Sequence, residues 1–313
     1  MRRMPSPSPD SKTRRSIATI LLAVGLLGLP DGPGRADGSF IGRMESYRTR
    51  YEDTLHEIAR RFDLGYVELV AANPGIDPWL PGEGTELILP TAHLLPDAPR
   101  EGIVINLAEM RLYYFEEPGA APESYPIAIG REGRNTPLGT TQVVRKTENP
   151  TWYPPASIRA EKPELPPVVP PGPDNPLGAY ALYLGWPAYL IHGTNKPWGI
   201  GRQASAGCIR MYPEDIERLF ARVPVGTTVT VVNQPVKIAW IGDELFVEVH
   251  PTDTQAAQLE LKGTFDAAES GQTIANIVAR VRHAAGKEED RLDYQTILKA
   301  ALERRGYPVQ VTR

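Results

Sequence analysis

Ile103-Val104-Ile105-Asn106, Leu112-Tyr113-Tyr114-Phe115 and Tyr125-Pro126-Ile127-Ala128-Ile129 are three short runs rich in branched and aromatic residues. Gly and Pro turns punctuate them, as at Gly130 and Pro137-Leu138-Gly139. Runs of this length and composition between turn residues are strands. Thr141 to Lys146, Ala188 to His192 and Thr228 to Val232 continue the series. Val236 to Trp240 and Glu244 to His250 flank Gly242-Asp243, a hairpin signal. One helix fits Pro213 to Phe220, with Pro in its first turn and Glu214-Asp215 near its positive end. Many strands and one helix predict a mainly β domain, a sandwich or barrel-like sheet, over residues 100–233.

Ten prolines lie from Pro150 to Pro176. That stretch is too proline-rich for a central strand and reads as an extended, stiff loop, a lid over a groove.

The chain has 313 residues and one cysteine, Cys208, so no intramolecular disulfide and no cysteine-rich zinc site can form. The five histidines are His56, His93, His192, His250 and His283. Four of them sit in no motif and receive no role. The fifth opens Ile191-His192-Gly193-Thr194-Asn195, followed by Ser205-Ala206-Gly207-Cys208-Ile209-Arg210-Met211. A nucleophilic thiol needs a base, backbone donors for an oxyanion, and often a cation for an anionic substrate group. His192, Gly207 and Arg210 supply those types beside Cys208. An activated thiol should titrate below a free cysteine.

This pattern resembles the catalytic motif of L,D-transpeptidases, the YkuD family of ErfK/YbiS type: a His-Gly, about sixteen residues, then Ser-His-Gly-Cys-Ile-Arg. Pro137-Leu138-Gly139, Asn149-Pro150-Thr151-Trp152 and Pro213-Glu214-Asp215-Ile216 extend the likeness. The resemblance implies Cys208 as nucleophile, His192 as base with its ring held by the Gly193 carbonyl, and an oxyanion held by backbone N–H groups around Gly207 and Cys208. Arg210, Ser205, Trp152 and Trp198 are the candidate substrate-binding residues, although the two tryptophans also suit a plain core. One position departs: the family's common His two before the cysteine is Ala206 here. If this segment is extended, Ala206 and Cys208 face the same way. The resemblance implies no metal and no organic cofactor.

Upstream, Thr54-Leu55-His56-Glu57 fits a capping box, and Leu55, Ile58, Ala59 and Phe62 form one helical face. A second helix fits Tyr66 to Ala72, stopped by Asn73-Pro74-Gly75, with extended runs at 46–48 and 86–89. This strand-helix-helix-strand pattern over 44–91 resembles a LysM domain, which implies binding to N-acetylglucosamine-containing glycans; a packing module without its own ligand is the alternative.

Residues 1–36 carry net +4, with Arg2, Arg3, Lys12, Arg14 and Arg15 ahead of an apolar run from Ile17 to Leu29 and a small-residue site at Gly34-Arg35-Ala36. This is the order of a secretory signal peptide, with cleavage expected near Asp37. An uncleaved anchor is the alternative. The rest of the chain carries net −8, against a nucleic-acid partner. Residues 234–313 read as the hairpin and then a helical pair, around Ile274 to Val281 and Tyr294 to Ala301.

The resulting expectation is a periplasmic transpeptidase acting on peptidoglycan tetrapeptide stems through a cysteine thioester. Its acceptor could be a diaminopimelate amine, giving 3→3 cross-links, a lysine of an outer-membrane protein, or water. A peptidoglycan hydrolase using the same thiol, or a catalytically weak wall-binding protein because of Ala206, are the rival readings. The sequence gives no oligomeric state.

Overall fold

The structure is a computed structural model and describes residues 39–131, 133–267 and 271–313. The expected signal peptide lies outside the described residues. Among those residues, no helix is long and apolar enough to cross a membrane.

The first elements are β1 (Phe40–Ile41), β2 (Glu45–Arg48), α1 (Leu55–Arg61), α2 (Tyr66–Ala72), β3 (Glu86–Leu89) and β4 (His93–Leu94). β2 and β3 pair antiparallel, with Tyr47 opposite Leu87. The Thr54 side chain accepts from Glu57 N–H and caps α1, as its sequence position requires. Asn73 stops α2. Its amide bridges the Leu69 carbonyl and both backbone groups of Ile88, clamping helix to strand.

The central sheet is built from β5 (Gly102–Asn106), β6 (Arg111–Phe115), β7 (Glu123–Gly130), β8 (Gly139–Glu148), β9 (Tyr180–Leu184), β10 (Leu190–His192), β11 (Gln203–Ser205), β12 (Ile209–Met211) and β13 (Thr228–Val232). Their order is β11-β7-β12-β10-β9-β8-β13-β5-β6, and β6 also pairs with β7, closing the sheet on itself like a barrel. Closure leaves only β11 as an appended strand, which removes most exposed edge. β9 was not foreseen. It is a Tyr-Ala-Leu-Tyr-Leu run with Ala181, Leu182 and Leu184 buried, directly after the proline-rich stretch.

That stretch is not wholly extended. It contains α3 (Ala156–Glu161), and Trp152 and Val169 exchange backbone hydrogen bonds that close it as a loop. Fully buried Asn175 donates to the carbonyl of Pro150 at 2.8 Å and holds the two ends together. Prolines leave carbonyls without N–H partners, and this amide serves them.

α4 (Pro213–Arg222) follows β12 and packs Ile216 and Leu219 into the core. Then come β14 (Val236–Ile241), β15 (Glu244–Val249), α5 (Asp253–Lys262), α6 (Gly271–Ala285), α7 (Tyr294–Glu303) and β16 (Val309–Gln310). α5 was also unforeseen, although Thr252 and Gln255 form a capping box at its start.

One apolar cluster joins Leu55, Ile58 and Leu69 of the first helices to Ile105, Leu112 and Ile127 of the barrel and to Leu259 of α5. Each such buried side chain stabilises by about 1.5–3 kcal/mol, so the small βααβ unit shares its core with the barrel. A second cluster lies under β14, β15, α6 and α7.

Backbone contacts tighten the first joint. The N–H groups of Tyr66 and Val67 at the start of α2 donate to the Ile200 and Gly201 carbonyls, at 3.3 and 3.2 Å. A helix start has unpaired N–H groups, and here the segment between His192 and Cys208 satisfies two of them. The approach needs Gly201, whose φ is +74°; an added Cβ would lie 2.1 Å from Tyr66 N.

Candidate active site

β10 and β12 run parallel, with Ile191 beside Ile209 and His192 beside Arg210. Cys208 immediately precedes β12, and its sulfur receives a backbone hydrogen bond from Leu190. The register therefore brings His192, Cys208 and Arg210 together on neighbouring strands at one end of the barrel.

His192 is buried, and its Nδ1 lies 2.6 Å from the Gly193 carbonyl. A carbonyl only accepts, so Nδ1 carries the proton and the lone pair of the neutral ring sits on Nε2; the Leu177 carbonyl is a second backbone partner of the ring. Burial, then the Arg210 charge, pushes this imidazole down to about pKa 3, so it is neutral at pH 7. Cys208 Sγ donates to the Ala188 carbonyl at 3.4 Å. Ala188 holds φ +69°, an uncommon left-handed conformation for a residue with a Cβ. Burial raises the thiol above its ordinary range, although the Leu190 N–H and Arg210 favour the thiolate. The expectation of a thiol titrating below a free cysteine is thus corrected. Desolvation outweighs the nearby cation, and the resting pair is thiol and neutral imidazole.

Arg210 is partly buried. Its Nη1 donates to the Ala204 carbonyl at 3.3 Å, and its Nε is buried without a partner among the described residues.

The turn that carries the thiol is pinned from both sides. Ser205 Oγ donates to the Cys208 carbonyl at 2.5 Å and accepts from the Gly207 N–H at 3.1 Å. Ser205 is 2% exposed, and its hydroxyl holds the turn. The Gly207 N–H is likewise engaged and is not an open oxyanion donor in this state. Gly207 has φ +109°, and an added Cβ would meet the Tyr189 ring at 3.0 Å. Residues 206–208 form a bend, so the strand alternation expected to align Ala206 with Cys208 does not hold.

Among the described residues, the ring contact of Trp198 and the backbone pairing of Trp152 are with residues other than Cys208. Trp152 pairs with Val169 inside the proline-rich loop. Arg131 and Arg134 reach Glu161 of α3, the first at 2.5 Å, tying that loop to the β7–β8 connection. Trp198 is 54% exposed and sits edge-on to His56 of α1, 6.3 Å between ring centres. His56 stacks between Tyr66 at 4.2 Å and Trp79 at 4.6 Å, and Trp79 is 65% exposed. Arg202 donates to His56 Nε2 at 2.7 Å.

Three histidines without a sequence motif are therefore structural. His250 lies 2.7 Å from Glu248, and Lys237 bridges Glu248 and Glu109. His93 lies 3.6 Å from Glu68, which pairs with Arg111 at 2.8 Å. His93, Glu109 and Glu248 bring possible ligand atoms within 4.8 Å of one another. The Lys237 ammonium already supplies the cation between those carboxylates, so the group reads as a buried ion network. Its members come from the first helices, the barrel and the C-terminal hairpin, and one direct bond, from Leu94 N–H to Glu248, spans 154 residues, beyond any sequence signal.

Residues 100–231 match the YkuD family, the L,D-transpeptidase catalytic domain. The Escherichia coli (strain K12) protein named "Probable L,D-transpeptidase YbiS" is 42% identical over 264 residues, covering 82% of this chain and 83% of that protein. "Probable L,D-transpeptidase ErfK/SrfK" of the same organism is 43% identical over 238 residues, covering 74% and 76%. Among solved structures, the catalytic domain of an Enterococcus faecium L,D-transpeptidase aligns with TM-score 0.35 and 22% identity, covering 44% of this chain and all of that one.

Proposed function

The chain belongs to the L,D-transpeptidase family, and from that membership and the site's geometry we propose a two-step acyl transfer on peptidoglycan stem peptides, carried out by Cys208. The observation that carries this reading is the register of β10 and β12, which sets a neutral His192 with an unprotonated Nε2 beside the strand that Cys208 opens.

In the first step His192 Nε2 takes the thiol proton as sulfur attacks the carbonyl of the stem's third residue. The Arg210 guanidinium holds a substrate carboxylate, and the Cys208 N–H faces the developing oxyanion. The C–N bond to the terminal D-alanine breaks, His192 returns the proton to the leaving amine, and a thioester remains. In the second step an acceptor amine attacks the thioester, loses its proton to His192, and displaces the thiol. A diaminopimelate amine gives a 3→3 cross-link, a protein lysine gives attachment to the wall, and water gives hydrolysis.

The working compartment in this reading is the periplasm, reached through the signal peptide of residues 1–36. Residues 44–91 act as a LysM-like glycan-binding module. The exposed Trp79 and Trp198 faces, both tied to His56, support a sugar-stacking surface shared by the module and the loop between His192 and Cys208. Trp152 and the proline-rich loop cover the peptide groove.

Product analysis tests the proposal. Protein incubated with a disaccharide-tetrapeptide should release D-alanine and form cross-linked dimer, and C208A should do neither. Tripeptide without dimer would identify water as the acceptor. Absence of D-alanine release would remove the transferase reading and favour a wall-binding protein.

A further inference from the structure

Hydrogen bonds hold the peptide groups around the nucleophile, and one of them comes from a residue outside the motif. The Gly207 N–H is taken by Ser205 Oγ, and the Cys208 carbonyl accepts from the same hydroxyl. The Gly207 carbonyl accepts from Thr136 Oγ1 at 2.9 Å. Thr136 belongs to the β7–β8 connection, 71 residues away, and is 5% exposed. Its own oxygen accepts from the Gly130 N–H at 3.2 Å. With that position filled by a donor, the hydroxyl proton goes to Gly207.

A trans peptide is planar, with its C=O and N–H pointing in opposite directions. Holding the Gly207 carbonyl therefore also fixes the direction of the Cys208 N–H. No loop or side-chain acceptor among the described residues takes that N–H. It is an open donor on the nucleophile's own residue. Gly207, with φ +109°, has no side chain to restrain this peptide, so the restraint must come from outside.

The connection itself is held firmly against the turn. Arg131 N–H donates to the Ser205 carbonyl at 3.0 Å, and Arg134 N–H to the Arg131 carbonyl at 2.9 Å. A Cβ on Gly130 would lie 2.1 Å from the Arg134 carbonyl, so only glycine lets the loop fold back far enough to deliver Thr136.

We propose that Thr136 is a positioning residue that aims the Cys208 N–H at the oxyanion by clamping the Gly207 carbonyl. The role rests on Cys208 as the nucleophile. It differs from a structural one because it acts only on reactions that pass through an oxyanion. Acylation by a stem peptide does so; alkylation by iodoacetamide displaces iodide at a saturated carbon and does not.

The test compares both reactions at Cys208 in wild type, T136V, T136A and T136S, using disaccharide-tetrapeptide and iodoacetamide. The threonine hydroxyl is absent from the first two variants and kept in the third. T136V should acylate roughly 10²-fold more slowly, at the low end for losing an oxyanion donor, while its alkylation rate stays within about threefold of wild type. T136S should restore acylation to within about threefold. T136A, which leaves no isosteric branch to strain, decides the matter if T136V fails to fold. Acylation by T136V or T136A as fast as wild type overturns the proposal. So does a parallel fall of acylation and alkylation, which would mean that the thiol itself had moved. A wild-type protein that is alkylated but never acylated refutes the nucleophile's assignment, and this role with it.

Discussion

The Gly193 carbonyl takes the Nδ1 proton of His192 at 2.6 Å, between adjacent residues of one chain. This contact fixes the tautomer that the sequence left open, and it leaves Nε2 unprotonated in a buried site. The ring is held neutral down to about pH 3 by desolvation and by Arg210.

The first prediction concerns pH and rate. An ordinary histidine base would lose activity below about pH 6.5. With its pKa depressed, His192 keeps its lone pair, so acylation should show no protonation limb between pH 7 and 5. Its alkaline rise should lie above the ordinary thiol range, because burial raises Cys208. Single-turnover acylation rates across pH 5–10 measure both. A midpoint near 6.5 would show a solvated imidazole.

The second concerns pH and stability. His56, held down to about pKa 4, and His192 both stay neutral in the fold. As pH falls below about 6.5 the unfolded chain takes up protons that the folded chain refuses. Stability is therefore intact above 6.5 and falls toward the folded values, by up to ~1.4 kcal/mol per pH unit for each such histidine. Melting temperatures should drop from pH 7 to 5, and H56F should flatten that slope. An unchanged slope in H56F would mean that its ring titrates in the fold as it does in the unfolded chain.

The third concerns the buried ion network. Lys237→Met keeps the packing volume but leaves Glu109 and Glu248 without their shared cation. Breaking a buried pair on one side costs about 3–5 kcal/mol. Urea unfolding of K237M should show a loss on that scale. A loss under about 1 kcal/mol would contradict a shared cation holding the two carboxylates.

The fourth concerns glycan. W79A and W198A should each weaken binding to stem-free glycan strands by roughly tenfold, the ~1.4 kcal/mol scale of one aromatic stacking contact. Quenching of the remaining tryptophan fluorescence reads the affinity. If W198A binds as wild type does, the sugar surface belongs to the βααβ unit alone.

Much of this architecture was legible because strand signals are local. Ile103 to Asn106 and Leu112 to Phe115 carry branched and aromatic residues between turns, and both are strands. The grouping of His192, Cys208 and Arg210 was legible through a motif. What escaped depends on distance or on backbone geometry. The Lys237 network joins segments far apart in the chain, and no pattern around His93 or His250 announces it. The bend at Gly207 turns the Ser205 hydroxyl onto the backbone. Ala206 looked aligned with the thiol for want of that same bend. α3 formed within a proline-rich stretch because Ala156–Glu161 is itself proline-free.

The central claim is that Cys208 carries the acyl group. Its most direct test is intact mass and peptide mapping of the protein quenched seconds after mixing with disaccharide-tetrapeptide. The account predicts a mass increase equal to the disaccharide-tripeptide acyl group, located on the peptide containing Cys208, in wild type and not in C208A. D-alanine release with no adduct on that peptide, or with an adduct that persists in C208A, would contradict it.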